Sequence, residues 1–214
     1  TGELVTEHLH RYAIAMRYCA GREVLDIACG EGYGSALLAG AATRVTGVDI
    51  DPEVVAHAAR KYARPGLEFR HGSCDAIPLP AASVDVAVSF ETLEHHDRHD
   101  EMMAEIRRVL RPGGLLIVST PDRRYHSELQ QHHNPFHVKE LDREEFRDLL
   151  ARSFRHVRLA GQRITHGSLV VPETAEKNGF ELLRGSFEGV GTFGMTAVYF
   201  LGLASDEPLP PLQA

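Results

Sequence analysis

The apolar run Ser83 to Phe90, with valines at 84, 86 and 88, ends in Glu91-Thr-Leu-Glu94-His95-His96. A helical turn after Phe90 would set Glu91, Glu94 and His95 at i, i+3 and i+4, on one face. Two carboxylates and an imidazole so placed repel a further anion and attract a cation. The mixed donor set suits Mg²⁺, Mn²⁺ or another divalent ion without selecting one. A second constellation lies near the start of the chain. Val24 to Ala28 is apolar apart from Asp26, and glycines follow at 30, 32 and 34. Glycine serves where the backbone needs φ > 0 or must let a ligand come close, and a helix start beyond it offers free N–H groups. The spacing is G-x-G-x-G, which differs from the G-x-G-x-x-G of dinucleotide sites. A carboxylate inside an apolar run is costly unless paired, and Asp26 has two candidate partners, a cationic ammonium or a neighbouring backbone N–H. A third acid, Asp49, ends the run Val45-Thr-Gly-Val. An acid at that place, about 20 residues after the glycines, can accept hydrogen bonds from both hydroxyls of a ribose.

The elements that must carry these groups read as alternating strands and helices. Residues 5–19 place Leu9, Tyr12, Ala13 and Met16 on one helical stripe. Strands are expected at 24–28, 45–49, 67–70, 83–90, 115–118, 156–160 and 196–203. Helices are expected at 35–41, 52–63, 98–110 and from Asp142 onward. Asp51-Pro52 reads as a cap and first helical residue, and Asp142 with Glu145 as a capping box. Arg111-Pro-Gly-Gly114 reads as a turn. The strand that follows it is apolar without interruption, as in a sheet buried on both faces. Residues 121–141 form a long polar connection with four histidines and Asn134-Pro-Phe-His-Val; a connection of that kind is usually functional or disordered, and Pro135 and Phe136 suggest order. Residues 162–195 are interrupted by glycine and weakly periodic.

Composition narrows the function classes. The chain has 214 residues, 43% hydrophobic and 25% charged, which suits one globular domain with a sizeable core. A net charge of −7 argues against broad electrostatic binding to nucleic acid or anionic membrane. The three cysteines are far apart and form no C-x-x-C pair, as expected in a reducing compartment. No apolar run has membrane length and no signal-peptide pattern is present, so the expected location is the cytoplasm.

In order and spacing, VLDIACGEGYG (24–34), VTGVDID (45–51), GSCDAIPLP (72–80), SVDVAVSFETLEH (83–95) and RRVLRPGGLLIVSTP (107–121) resemble the class I S-adenosylmethionine-dependent methyltransferases. The resemblance covers roughly residues 8 to 161 and implies an α/β, Rossmann-like fold. Its sheet would be seven-stranded and mostly parallel, with helices on both faces and the last strand antiparallel. The whole chain, 1–214, would be one methyltransferase domain, with a cap helix at 5–19 and substrate-side insertions at 121–141 and 162–195. The implied cofactor is S-adenosylmethionine. Arg11 and Tyr12 would face its methionine end, and Asp26 its ammonium. The backbone at Gly30 and Gly32 would pass along the methionine portion and ribose, where Asp49 would bind, and Asp75 would lie beside the adenine amine. Ile50, Cys74 and Phe90 complete the implied cofactor set.

The E-x-x-E-H run is similar to two groups of metal-dependent O-methyltransferases, those of the ubiquinone pathway and those that methylate the 2′-hydroxyl at small-RNA 3′ ends. In the second group a further histidine stands in an H-x-x-E-x-x-R-x-x-F context. Here His137, Glu140, Arg143 and Phe146 keep that spacing, which implies Glu91, Glu94, His95 and His137 as metal ligands. Related enzymes without a metal carry a similar acid and histidine, and then His95 or His137 would be the catalytic base. NPFHVKEL (134–141) resembles methyltransferases associated with glycans and sugars. The expectation is therefore O-methylation of a small polyhydroxylated acceptor, a sugar, glycan or other vicinal diol, aided by Mg²⁺ or Mn²⁺. The alternatives are metal-independent methylation of a natural product or carboxylate, an RNA 3′-end enzyme, and a non-catalytic module that binds the donor. Neither the acceptor nor the oligomeric state follows from the sequence.

Overall fold

Apolar runs bounded by glycine, proline and aspartate become strands β1 (Glu23–Ile27), β2 (Arg44–Asp49), β3 (Leu67–His71) and β4 (Val84–Phe90). Helices α1 (Gly2–Cys19), α2 (Tyr33–Leu38), α3 (Pro52–Lys61) and α4 (His99–Val109) lie between and around them. Strand β5 (Leu110–Pro121), helix α5 (Arg143–Ser153) and strands β6 (His156–Gln162), β7 (Leu183–Ser186), β8 (Gly189–Thr192) and β9 (Tyr199–Ser205) follow. The structure, a computed structural model, describes residues 2–128, 134–164, 183–186, 189–192 and 197–212. Both expected helix caps form. The Asp51 carboxylate accepts from the N–H groups of Glu53 and Val54, and Asp142 and Glu145 make a reciprocal capping box.

Seven strands pair in the order β3-β2-β1-β4-β5-β9-β6. All are parallel except β9, which runs antiparallel to both β5 and β6. The sheet is thus the Rossmann-like one expected, with its last strand reversed. Successive residues of β1 point to opposite faces. Leu25 and Ile27 join the core under α4 and α5, and Val24 joins the core under α1 and α2. The strand order turns back between β1 and β4, and the crevice outside the C-terminal ends of such strands is where ligands bind in this class of sheet.

Three local readings are corrected. Helix α1 is rotated from the expected stripe: Leu9 and Ala13 are exposed, while Glu7, Arg11, Tyr12, Ile14 and Tyr18 are buried. Polar partners across the sheet, described below, hold Arg11 inward and outweigh the burial of one leucine. Second, the Arg111–Gly114 turn does not precede β5 but lies inside it. Pairing slips from Val84–Leu110 to Val86–Leu115, and Gly113 takes φ +76. The strand also runs on to Pro121, which carries Ser119 to Glu91 and Thr120 to Glu94. Third, β7 and β8 form an antiparallel hairpin where no strand was expected. The expectation that 162–195 covers a substrate falls largely outside the described residues. No described helix is long and apolar enough to cross a membrane.

Candidate active site

The chain leaves β1 through a left-handed bend: Ala28 has φ +58, Gly30 φ +52 and Gly32 φ +84. The two glycines do different work. A Cβ at Gly30 would stand in open space, and Gly30 lines the crevice. A Cβ at Gly32 would meet the Phe69 ring at 2.7 Å and the Ala58 Cβ at 2.8 Å, so Gly32 lets the turn close against β3 and α3. It lines neither crevice cavity described below. Asp49 ties the second strand to this bend, accepting from the Gly30 N–H at 2.8 Å and the Asp51 N–H at 3.1 Å.

Two cavities adjoin at the switch between β1 and β4. One, of about 450 Å³, is lined by Gly30, His8 and the rings of Tyr12, Tyr33, Phe90 and Tyr199, with Glu91, Glu94, His95, Asn134 and His137 on its far side. The other, of about 390 Å³ and mostly apolar, is lined by Asp49, Ile50, Ser73, Cys74, Asp75, His96 and Arg98. Ala28, Glu91 and His95 belong to both. A larger cavity of about 700 Å³ lies beyond β5, beside Arg123 and the start of α5, and holds none of these groups.

Of the expected cofactor residues, Tyr12, Gly30, Asp49, Ile50, Cys74, Asp75 and Phe90 line the crevice, whereas Arg11, Asp26 and Gly32 do not. Asp26 is fully buried. It accepts from Ser35 Oγ at 2.7 Å, and Tyr12 Oη stands 3.3 Å away, between it and the crevice. Burial pushes its carboxyl up to about 7, against the hydrogen bonds of Ser35 and Tyr12. Arg11, only 1% exposed, donates to Gln162 Oε1 at 2.7 Å and Ser119 Oγ at 2.8 Å. Its guanidinium lies over the Tyr199 ring. Asp75 is paired with Arg98, and its carboxyl sits below the usual range, mainly through a hydrogen bond from Ser73 and also through Arg98. Cys74 Sγ is 3.5 Å from His96 Nε2, and burial raises the thiol.

The acid and imidazole run folds differently from a helical turn. Glu91 takes φ +54, and the short 3₁₀ turn that follows covers only Leu93–His95. The left-handed residue breaks the i, i+3, i+4 relation. Glu91 Oε1 instead lies 2.5 Å from Arg11 Nη1 and accepts from Ser119 Oγ at 2.7 Å. Among the described residues, Glu94, His95 and His137 each bring one ligand atom within 4.8 Å of the others. His95 Nδ1 donates to the Phe136 carbonyl at 3.0 Å, and His137 Nδ1 to Glu140 Oε1 at 2.5 Å. An acceptor against each Nδ1 is the usual arrangement around a metal-binding histidine. The His137 segment is docked by its backbone: Val138 and Lys139 donate to the Glu94 carbonyl at 2.7 and 3.1 Å. Burial, and after it the charge of Glu91, hold the Glu94 carboxyl well above its ordinary range.

The pattern reading missed His8, Tyr33, Asn134 and Tyr199. Tyr33 sits inside the glycine motif and His8 donates or accepts at its hydroxyl at 2.7 Å, but Tyr199 carries no local signal at all. The donor set fits the implied groups. Gly30 leaves a gap, Asp49 and Asp75 offer acceptors on one side, and one carboxylate with two imidazoles suits a divalent ion.

Comparison with known proteins bears on the family and the fold. The methyltransferase-domain family model matches residues 25–118. A probable S-adenosylmethionine-dependent methyltransferase of Mycolicibacterium smegmatis is 47% identical over 133 residues, covering 62% of this chain and 51% of the relative. A fatty-acid O-methyltransferase of the same organism is 30% identical over 129 residues, covering 56% and 47%. The chain thus spans about half the length of these relatives. An S-adenosylmethionine-dependent methyltransferase of Methanosarcina mazei superposes with a TM-score of 0.61 at 21% identity, over 86% of this chain and 92% of that one. Residues 25–118 therefore match a methyltransferase domain, in a chain with the fold of the class I S-adenosylmethionine-dependent methyltransferases.

Proposed function

We propose that this chain, as one methyltransferase domain, transfers a methyl group from S-adenosylmethionine to a hydroxyl oxygen of a small polyhydroxylated acceptor. A sugar, glycan or other vicinal diol is the class favoured, with Glu94, His95 and His137 holding a divalent cation. The observation that carries the reading is that cluster, set on the wall of the crevice with both Nδ1 atoms already engaged. When bound, the donor supplies an electrophilic methyl on a positively charged sulfur, and a divalent ion lowers the pKa of a coordinated hydroxyl. The chain's own residues align the reactants. Asp49 keeps lone pairs for ribose hydroxyls beside its two backbone bonds, Asp75 supplies an acceptor on the nucleoside side, and Tyr12 presents Asp26 indirectly. His95 or His137 Nε2 can take the acceptor's proton. The three cysteines, all unpaired, support a reducing location, the cytoplasm.

A second reading rests on the relative named as a fatty-acid O-methyltransferase. It has a carboxylate or natural-product oxygen as acceptor, no cation, and His137 backed by Glu140 as base. Calorimetry on chelator-stripped protein separates the two. The first predicts one Mn²⁺ or Mg²⁺ per chain, a loss of at least about tenfold in that affinity in Glu94→Gln, and turnover that stops on chelation. Donor binding without ion binding, with turnover that survives chelation, selects the histidine base. No binding of donor or of S-adenosylhomocysteine rejects both.

A further inference from the structure

The two crevice cavities share three wall residues, Ala28, Glu91 and His95. On the donor reading proposed above, on which this inference rests, the nucleoside lies with Asp49 and Asp75, and the amino-acid chain with Gly30, Tyr12 and Tyr33. The sulfonium is the atom where those two parts of the donor meet, so it belongs where the cavities join. Of the three shared residues, only Glu91 carries a carboxylate. Asp26 is sealed behind Tyr12, and the Glu94 carboxyl is turned to Thr120 and the two histidines.

Glu91 is also held in one attitude. Its backbone sits at φ +54, and across the join, at the end of the neighbouring strand, Ala28 sits at φ +58. Non-glycine residues keep such angles only where the surroundings enforce them, and they gather at functional sites. Arg11 Nη1 and Ser119 Oγ both bind Oε1, at 2.5 and 2.7 Å. Among the described residues Oε2 accepts no hydrogen bond, and the side chain is 15% exposed. One oxygen is therefore pinned and the other is offered to the crevice.

We propose that Glu91 is the anionic contact for the donor's sulfonium and is not a ligand of the Glu94, His95 and His137 cluster. Glu91 then distinguishes the charged donor from its neutral thioether product. Arg11 holds the carboxylate in place.

The test is calorimetric binding of S-adenosylmethionine, S-adenosylhomocysteine and Mn²⁺ to chelator-treated wild type and Glu91→Gln. Glutamine preserves the size of the side chain and an oxygen for Arg11 and Ser119. The expected result is a loss of about tenfold for the charged donor, with the thioether unchanged within about twofold, the scale of one partly exposed charge contact. Mn²⁺ affinity stays within about threefold, because the pinned carboxylate is not a ligand. An equal loss for donor and thioether, or no loss for either, overturns the sulfonium contact. A collapse of Mn²⁺ binding returns Glu91 to the metal set and overturns the second half. Glu91→Asp, which keeps the charge, guards against misfolding, and loss of its preference for the donor also counts against the proposal. A wild type that binds neither nucleoside overturns the donor reading itself, a result distinct from a changed ratio.

Discussion

Asp26→Asn probes the sealed carboxylate at the centre of the site. Burial lifts the Asp26 carboxyl from 3.8 to about 7. Because the folded value lies above the unfolded one, Asp26 stabilises the fold fully only below pH 3.8. That stability is lost as pH rises, up through about 7. At about 1.4 kcal/mol per pH unit, the whole interval is worth about 4 kcal/mol, of which about 2.5 kcal/mol falls between pH 5 and pH 8. Asparagine stays neutral and keeps an oxygen for Ser35 Oγ and Tyr12 Oη. Its amide N–H₂ stands where a carboxylate oxygen accepted hydrogen bonds, so the two hydroxyls must reorient, which costs about 1–3 kcal/mol at every pH. The variant should therefore match or fall below wild type at pH 5 and exceed it by about 1–3 kcal/mol at pH 8. Urea unfolding of both proteins at pH 5, 6, 7 and 8, without ligand, measures this. A difference between wild type and variant that stays constant within about 0.5 kcal/mol over that range refutes the buried, ionisable Asp26.

Arg11→Met leaves Glu91 without its cation and removes the guanidinium donors to Ser119 Oγ and Gln162 Oε1, so it should cost about 3 kcal/mol in urea unfolding. Part of that loss should return in the double variant with Glu91→Gln, and a single-variant cost under about 1 kcal/mol would show that the pair is not structural. Gly34→Ala places a Cβ 1.9 Å from Tyr12 Cζ, which must drive the ring away from Asp26. Although alanine favours helix by about 1 kcal/mol, the melting temperature should fall by about 5 °C; a rise would mean that α1 yields freely.

Much of the frame was legible because its signals are local. Asp51-Pro52 and the pair Asp142 and Glu145 cap helices through atoms two or three residues away, and both caps form as expected. Strands β1 to β4 follow from apolar runs between turn residues, whereas their order, β3-β2-β1-β4, is seen only in the fold. Gly30 and Asp49 were recognisable from type and spacing, and a hydrogen bond from the Gly30 N–H to the Asp49 carboxylate joins them. The hairpin of β7 and β8 was not recognisable, because its strands are four residues each and glycine-rich, too short for any period to emerge.

What sequence determined by itself was therefore the methyltransferase frame and the types of group brought to one crevice. Only the tertiary structure decided their duties. The i, i+3, i+4 spacing placed Glu91 with Glu94 and His95, but the left-handed backbone at Glu91 parts them. Arg11 was expected at the cofactor's methionine end, yet it lines neither crevice cavity. It is buried because Ser119 and Gln162, more than a hundred residues away, meet it across the sheet. Gly30 and Gly32 are equivalent in a G-x-G-x-G string, but Gly30 opens on the crevice while Phe69 and Ala58, packed behind the turn, make Gly32 a packing contact. In each case local periodicity specifies which way a side chain starts from its own backbone. The partner that fixes where it ends is brought by a distant strand, and no short window of residues contains it.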